Sequence, residues 1–216
     1  MTSWYIIDAN GARQIPQSPN LSFEQWPAFS LLSVKQDHHL TASQLLHILD
    51  QNNLLSHSSL DQYTHSLYLH HHQDHWTIAA EKIDDPDSWT LTPELASQLA
   101  ELVRSPVAYL SHDTDTGSLL LDLYEDSALW LRWQDSLDPC AHSGATHFGE
   151  DGTCTLEDSR SFALRMLNLP PQTPTLDRYH FVEFMLSTIG LENALSILDN
   201  EQHEHVMQVH DLCAFT

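Results

Sequence analysis

The clearest periodicity in the chain lies between residues 106 and 134. Leu119, Leu121 and Leu123 fall on alternate positions, with Asp122 and Tyr124 among the residues between and after them. Successive side chains of a strand point to opposite faces, so the three leucines share one face and Asp122 and Tyr124 the other. A run over residues 107–112 precedes them, and Leu129, Leu131 and Trp133 repeat the alternation afterwards. Asp113-Thr114-Asp115-Thr116-Gly117 and Glu125-Asp126-Ser127 supply the turns. The pattern predicts a three-stranded antiparallel meander. It assigns Trp133 to the core with Leu129 and Leu131, and it leaves Tyr124 and Trp130 to solvent.

Helical spacing appears elsewhere. Leu45, Leu46, Ile48 and Leu49 form a stripe behind Thr41, which is read as an N-cap. Thr92-Pro93-Glu94 starts a second helix with Leu95, Leu99, Leu102 and Val103 inward, ended before Pro106. Thr155-Leu156-Glu157-Asp158 reads as a capping box opening a third helix through Leu167. A fourth, capped by Thr175 and lined by Phe181, Phe184, Met185 and Ile189, stops at Gly190. Strand-like text covers residues 4–7, 63–70 and 75–83. Residues 15–27 carry three prolines and read as an irregular arm anchored by Trp26 and Phe29. Residues 135–155 read as a long polar loop. The expected fold is α+β: an antiparallel sheet with helices packed mainly on one face, in a single domain over residues 1–216 or in two lobes parted near 135–155.

Charge changes the picture more than composition does. Against 30 Asp and Glu stand 8 Lys and Arg, a formal charge of −22. Binding nucleic acid requires cations that displace counterions from phosphate, and anionic membrane surfaces attract the same residues. Neither partner is expected, whereas a basic protein would be drawn in. Forty-one per cent hydrophobic residues, six tryptophans among them, place the acidity on a folded body and not on a disordered chain. The first residues have no basic or apolar leader character, and three scattered cysteines make no disulfide framework. A cytoplasmic location is the expectation.

Candidate chemistry is sparse. No phosphate-cradling glycine loop, dinucleotide fingerprint or nucleophile elbow is present. His70-His71-His72 would place its middle ring away from the other two along a strand, short of the three or four converging ligands of a zinc site. Cys140, His142, His147 and Cys154 are the right ligand types, but their spacing fits no zinc-finger pattern, so they stand as weak candidates. The turn at residues 113–117 departs from a calcium loop and reads as a hairpin tip. No cofactor and no catalytic residue are expected.

The remaining constellation is acidic and aromatic. Asp113, Asp115, Asp122, Glu125, Asp126, Asp135 and Asp138 surround Tyr124 and Trp130, with Arg132 the only nearby base. Carboxylates steer a cationic partner and aromatic residues anchor it. In this general character the chain resembles bacterial immunity proteins, which neutralise toxins delivered between competing cells. The resemblance implies a binding protein without enzymatic activity that occludes a basic, nuclease-like toxin. A DNA-mimic inhibitor and a zinc enzyme using the Cys140–Cys154 region are the alternatives.

Overall fold

The computed structural model describes residues 5–8, 11–14, 28–52, 67–72, 76–83, 91–138, 140–173, 177–198 and 207–208. Trp26, Thr175 and Cys213 lie outside them. Strands β1 (Tyr5–Asp8) and β2 (Gly11–Gln14) pair as a separate antiparallel ribbon. The remaining strands are β3 (Ala28–Val34), β4 (Leu67–His72), β5 (Trp76–Ile83), β6 (Val107–Asp113), β7 (Ser118–Glu125), β8 (Ala128–Asp135), β9 (Gly144–Phe148), β10 (Cys154–Asp158) and β11 (Met207–Gln208). They form one open nine-stranded sheet in the order β10-β9-β8-β7-β6-β3-β5-β4-β11. Every neighbouring pair is antiparallel.

The predicted meander is β6–β8, and the α+β class with helices on an antiparallel sheet is what forms. Helices α1 (His38–Gln51), α2 (Pro93–Val103), α3 (Ser159–Met166) and α4 (Arg178–Thr188) divide between the two faces, two to each, instead of gathering mainly on one. Leu45, Ile48 and Leu49 of α1 and Leu95, Ala96 and Leu99 of α2 pack with Leu32, Tyr109 and Tyr124. Phe162 of α3 and Phe181, Val182 and Met185 of α4 pack with Leu121, Leu131 and Trp133 on the opposite face. Both sides of the central strands are therefore buried.

Several local expectations are corrected. Ala28–Val34 is a central strand, with Phe29 fully buried, and is no part of an irregular arm. Its seven residues carry only weak alternation because both faces are covered. Residues 144–158 are not loop but the β9–β10 hairpin, which continues the sheet outward from β8. Thr155 to Asp158 accordingly lie in a strand, and α3 starts at Ser159 with Asp158 accepting from the Ser161 N–H at 2.9 Å. Helix α1 begins at His38, so Thr41 lies within it and its hydroxyl donates to the Asp37 carbonyl at 2.9 Å. Thr92 does cap α2 as expected, accepting from the Leu95 N–H. Leu102 is 44% exposed, and the small Ala96 and Ala100 are the buried positions in its place.

The β7–β8 connection combines a strained turn with a bulge. Glu125 pairs with Ala128, leaving a two-residue turn of Asp126 (φ 48°) and Ser127 (φ 71°). Such turns suit the right-handed twist of a hairpin but favour glycine or asparagine. Ser127→Gly is expected to stabilise the protein by about 0.5–1 kcal/mol, because glycine reaches positive φ without the Cβ penalty and gives back only part of this as chain entropy. Urea unfolding measures it, and a loss of stability would show that the serine side chain holds the turn. Beyond the turn, Leu123 pairs with Leu131 but Tyr124 pairs with Leu129. Trp130 is thus the extra residue of a β-bulge. The bulge turns Leu129 to the α1–α2 face while Leu131 and Trp133 stay on the α3–α4 face, so the three do not share a side as the alternation implied.

Candidate functional site

The strand register separates the acidic constellation into two poles. Asp113 pairs with Ser118 and Leu119 with Asp135, so Asp113, Asp115, Asp135 and Asp138 gather at one end of the meander. Glu125, Asp126 and Trp130 lie at the other end, roughly 23 Å away at about 3.3 Å per residue. No single compact contact can cover both.

Two of the proposed contact residues are not at the surface. Asp122 is fully buried and Tyr124 is 4% exposed, both beneath α2. Arg132 grips Asp122 with two parallel bonds, Nε to Oδ1 at 2.7 Å and a terminal nitrogen to Oδ2 at 2.6 Å. This bidentate geometry is the strong form of the pair, and its hydrogen bonds raise the guanidinium above its ordinary value. The Tyr124 hydroxyl donates to the Pro93 carbonyl at 3.3 Å. Burial, reinforced by the Asp122 carboxylate, pushes that phenol far above its usual range. Asp122 therefore ties β7 to β8 and Tyr124 ties β7 to α2, and neither side chain is open to a partner. Their face looked polar in the sequence, but α2 covers it and the polar groups satisfy one another.

At the first pole the carboxylates are partly engaged in local structure. Asp113 accepts from the Asp115 N–H at 2.9 Å and from the Thr116 hydroxyl at 2.8 Å. Asp138 accepts from the Cys140 N–H at 2.8 Å. Asp135 meets Arg178 at 3.2 Å, and its carbonyl accepts from the same guanidinium at 2.6 Å. Asp115 and Asp138 remain exposed beside Leu137, which is 72% exposed.

The four weak metal candidates do not converge. Cys154 stands opposite Phe148 and Thr155 opposite His147 in the β9–β10 ladder. Adjacent pairs of a ladder face opposite sides, so Cys154 and His147 point apart. His147 turns its ring to Phe162, with centroids 5.5 Å apart, and its Nε2 lies 3.7 Å from Glu157. Cys140 and His142 are exposed in the connection from β8 to β9. Among the described residues no group of three or more His, Cys, Asp or Glu side chains is placed to hold a metal ion.

The second pole has a shape as well as a charge. Here β3 and β7 end while β5, β6 and β8 begin, and α4 finishes over the gap. The result is a hollow of about 190 Å³ lined by Lys35, Trp76, Val107, Leu123, Trp130 and Ile189 among others, with Glu125 and Tyr124 in its wall. Trp130, pushed out by the bulge, is 38% exposed. Trp76 is 2% exposed, and its indole Nε1 has no hydrogen-bond partner among the described residues. Lys35 and Glu125 are exposed. Of these residues the sequence singled out only Tyr124, Glu125 and Trp130 as partner contacts. Lys35, Trp76 and Ile189 belong to three distant segments that meet here through strand order, and no local signal marks them.

Among the described residues, no helix is long and apolar enough to cross a membrane. No known family model, no curated protein and no solved structure matches this chain.

Proposed function

We propose that this protein acts by binding and not by catalysis: it is an acidic inhibitor that captures a basic protein, in its most specific form an immunity protein occluding the active site of a cognate nuclease-like toxin. One observation carries the reading. Arg132, Arg165 and Arg178 are each paired with a carboxylate of this chain, Asp122, Glu157 and Asp135. The other Lys and Arg are far outnumbered by the other Asp and Glu. Because each pair takes one base and one carboxylate together, the rest of the chain keeps the uncompensated charge of −22, a field that attracts cationic surfaces and repels phosphate.

The second pole supplies the contact with most to offer. Glu125 and Asp126 are exposed on a tight turn, and Trp130 stands beside them as an aromatic anchor. Charge at such a rim governs the rate of encounter, and a desolvated tryptophan governs release. A toxin that grips nucleic acid must present a basic cleft, and this pole would occupy it. Nucleic acid and membrane surfaces are excluded as partners by the same charge.

The test is coexpression with the protein encoded immediately upstream, followed by binding measurements at increasing salt. A basic partner whose toxicity is relieved, with affinity falling as salt screens the charges, is the expected result. A neutral or acidic partner, or attachment indifferent to salt, overturns the reading. Within that complex, reversing Glu125 and Asp126 to lysine is expected to slow association about tenfold or more. Trp130→Ala is expected to speed dissociation by at least about tenfold. Reversal of Asp115 and Asp138 serves as the comparison: if it weakens binding more, the other pole makes the contact.

A further inference from the structure

We propose that β10, at the edge of the sheet, is a docking edge that takes one extended segment of a basic protein as an added strand. The phase of the β9–β10 ladder decides which backbone groups are free to pair. At the hairpin tip the Gly149 N–H donates to the Thr153 carbonyl at 2.9 Å and the Gly152 N–H to the Gly149 carbonyl at 3.0 Å, with Gly152 at φ 79°. This is a three-residue loop with a left-handed last residue, closed by the hydrogen-bonded pair Gly149 and Thr153. Hydrogen-bonded and non-hydrogen-bonded pairs then alternate along the ladder. Thr155 and Glu157, opposite His147 and Ala145, turn their backbone groups to β9. The N–H groups of Cys154, Leu156 and Asp158 and the carbonyls of Cys154 and Leu156 point outward, where no strand of the described residues meets them.

The side chains of the same three residues lie on the sheet face away from α3. Ala145 is buried in the α3–α4 core and His147 meets Phe162, so their partners Glu157 and Thr155 share that side. Cys154, Leu156 and Asp158 take the other. There Leu156 is 68% exposed, with exposed Phe148 diagonally across the ladder. An edge with unpaired backbone groups is a template for another strand, and native edges are commonly blunted by lysine, proline or a bulge. β10 has neither lysine nor proline, and its register runs without a bulge. Main-chain bonds to such an edge supply attachment, and the alternate side chains supply choice.

Charge selects the occupant. Asp158 stands at one end of β10, and Glu150 and Asp151 lie in the turn beyond the other end, all exposed. The nearby bases are engaged: Arg165 with Glu157 at 2.7 Å, and Arg160 with the Thr173 carbonyl. A second copy laid antiparallel along β10 would bring Asp158 of each chain toward Glu150 and Asp151 of the other, with −22 on both chains. Like charges so placed oppose pairing. A strand with lysine or arginine at both ends and a β-branched apolar residue at its centre meets the carboxylates and Leu156 together. Leu131 pairs with His147 and His147 with Thr155, so β10 lies two strands, about 10 Å, from the part of β8 that carries Trp130. The basic character of the occupant rests on the binding reading above, and a peptide probe separates the two.

The probes are acetyl-Lys-Thr-Val-Thr-Val-Lys-amide and its counterpart with glutamate for both lysines, added to the whole ¹⁵N-labelled protein. The lysine peptide is expected to move the amide protons of Cys154, Leu156 and Asp158 downfield and saturably at millimolar concentration, the range open to one short strand that must be ordered on binding. Thr155 and Glu157, bonded to β9 already, are expected to stay nearly in place. The glutamate peptide is expected to bind about tenfold more weakly. Leu156→Pro removes an outward N–H and no ladder bond, the position at which sheet edges accept proline, and is expected to abolish the response. Leu156→Ala keeps the N–H and is expected to retain the alternating pattern with binding about fivefold weaker. No saturable alternating movement in the natural protein overturns the proposal, whether or not Leu156→Pro folds. So do equal affinity for the glutamate peptide and an undiminished response in Leu156→Pro. Movement of the same three amides with protein concentration alone would overturn it in favour of a second copy. A failed peptide leaves the salt dependence of the upstream-encoded partner untouched, and a salt-indifferent partner leaves the peptide response standing.

Discussion

Trp133→Ala is expected to cost about 3–5 kcal/mol of stability, the range for removing a large aromatic side chain from a packed core. Trp133 is 1% exposed on β8. Its ring stands edge-on to Phe181 of α4 at 5.0 Å, and Phe181 in turn meets Phe162 of α3 at 5.7 Å. The three rings join the α3–α4 layer to the sheet. Truncation removes the apolar burial, the ring contact and the hydrogen bond to Ser159 together, and the surrounding strands cannot collapse into the gap. Ser159→Ala separates out the polar share, expected at about 1 kcal/mol. Trp130→Ala, three residues away on the same strand, is expected to cost about 1 kcal/mol or less because that ring is partly in water already. Urea unfolding of the three variants measures the order. Equal losses for Trp133 and Trp130 would contradict the placement of the bulge.

Arg132→Met is expected to destabilise the protein by about 2–4 kcal/mol at neutral pH. Stripping one partner from a buried ion pair strands the other, and the lower part of that range reflects the partial exposure of the Arg132 side chain, 39% against 0% for Asp122. Asp122 would then face the α1–α2 core with no cation beside it. The informative companion is the double variant Asp122→Leu with Arg132→Met. It removes the charge and its counterion together, so it is expected to recover most of the loss. A double variant as unstable as the single one would mean that the arginine works mainly by covering apolar surface with its stem. Calorimetry or urea unfolding of the four members of the cycle decides between the two.

Both expectations turn on which side of the sheet a residue occupies, and this is where sequence and structure part company. Alternation over residues 119–123 made the strand and its two faces readable, and Thr92-Pro93 announced α2 through the chemistry of a helix start. Ala28–Val34 and residues 144–158 escaped notice for opposite reasons. The first is buried on both faces and so lacks a polar phase. The second is an outer hairpin whose strand β10 is mostly exposed and so lacks an apolar one.

The candidate site was legible only in part. Glu125, Asp126 and Trp130 stand in surface positions, but Asp122 and Tyr124 were read as solvent-facing because a polar residue beside a tyrosine looks wet in one dimension. Whether it is wet depends on what α2 covers, and α2 arrives from another part of the chain. The insertion of one residue at Trp130 then reverses the phase of β8, which no periodicity count can place without the partner strand.

The amino-acid order by itself determined the β6–β8 meander, the start of α2 and the acidic excess, because these depend on neighbours within a few residues and on totals. Tertiary structure alone decided that both sheet faces are covered, that the carboxylates form two distant poles, and that Lys35, Trp76 and Ile189 enclose one hollow. Those outcomes follow from non-local strand pairing, with β3 inserted between β5 and β6, and pairing between distant segments leaves no periodic trace in either of them.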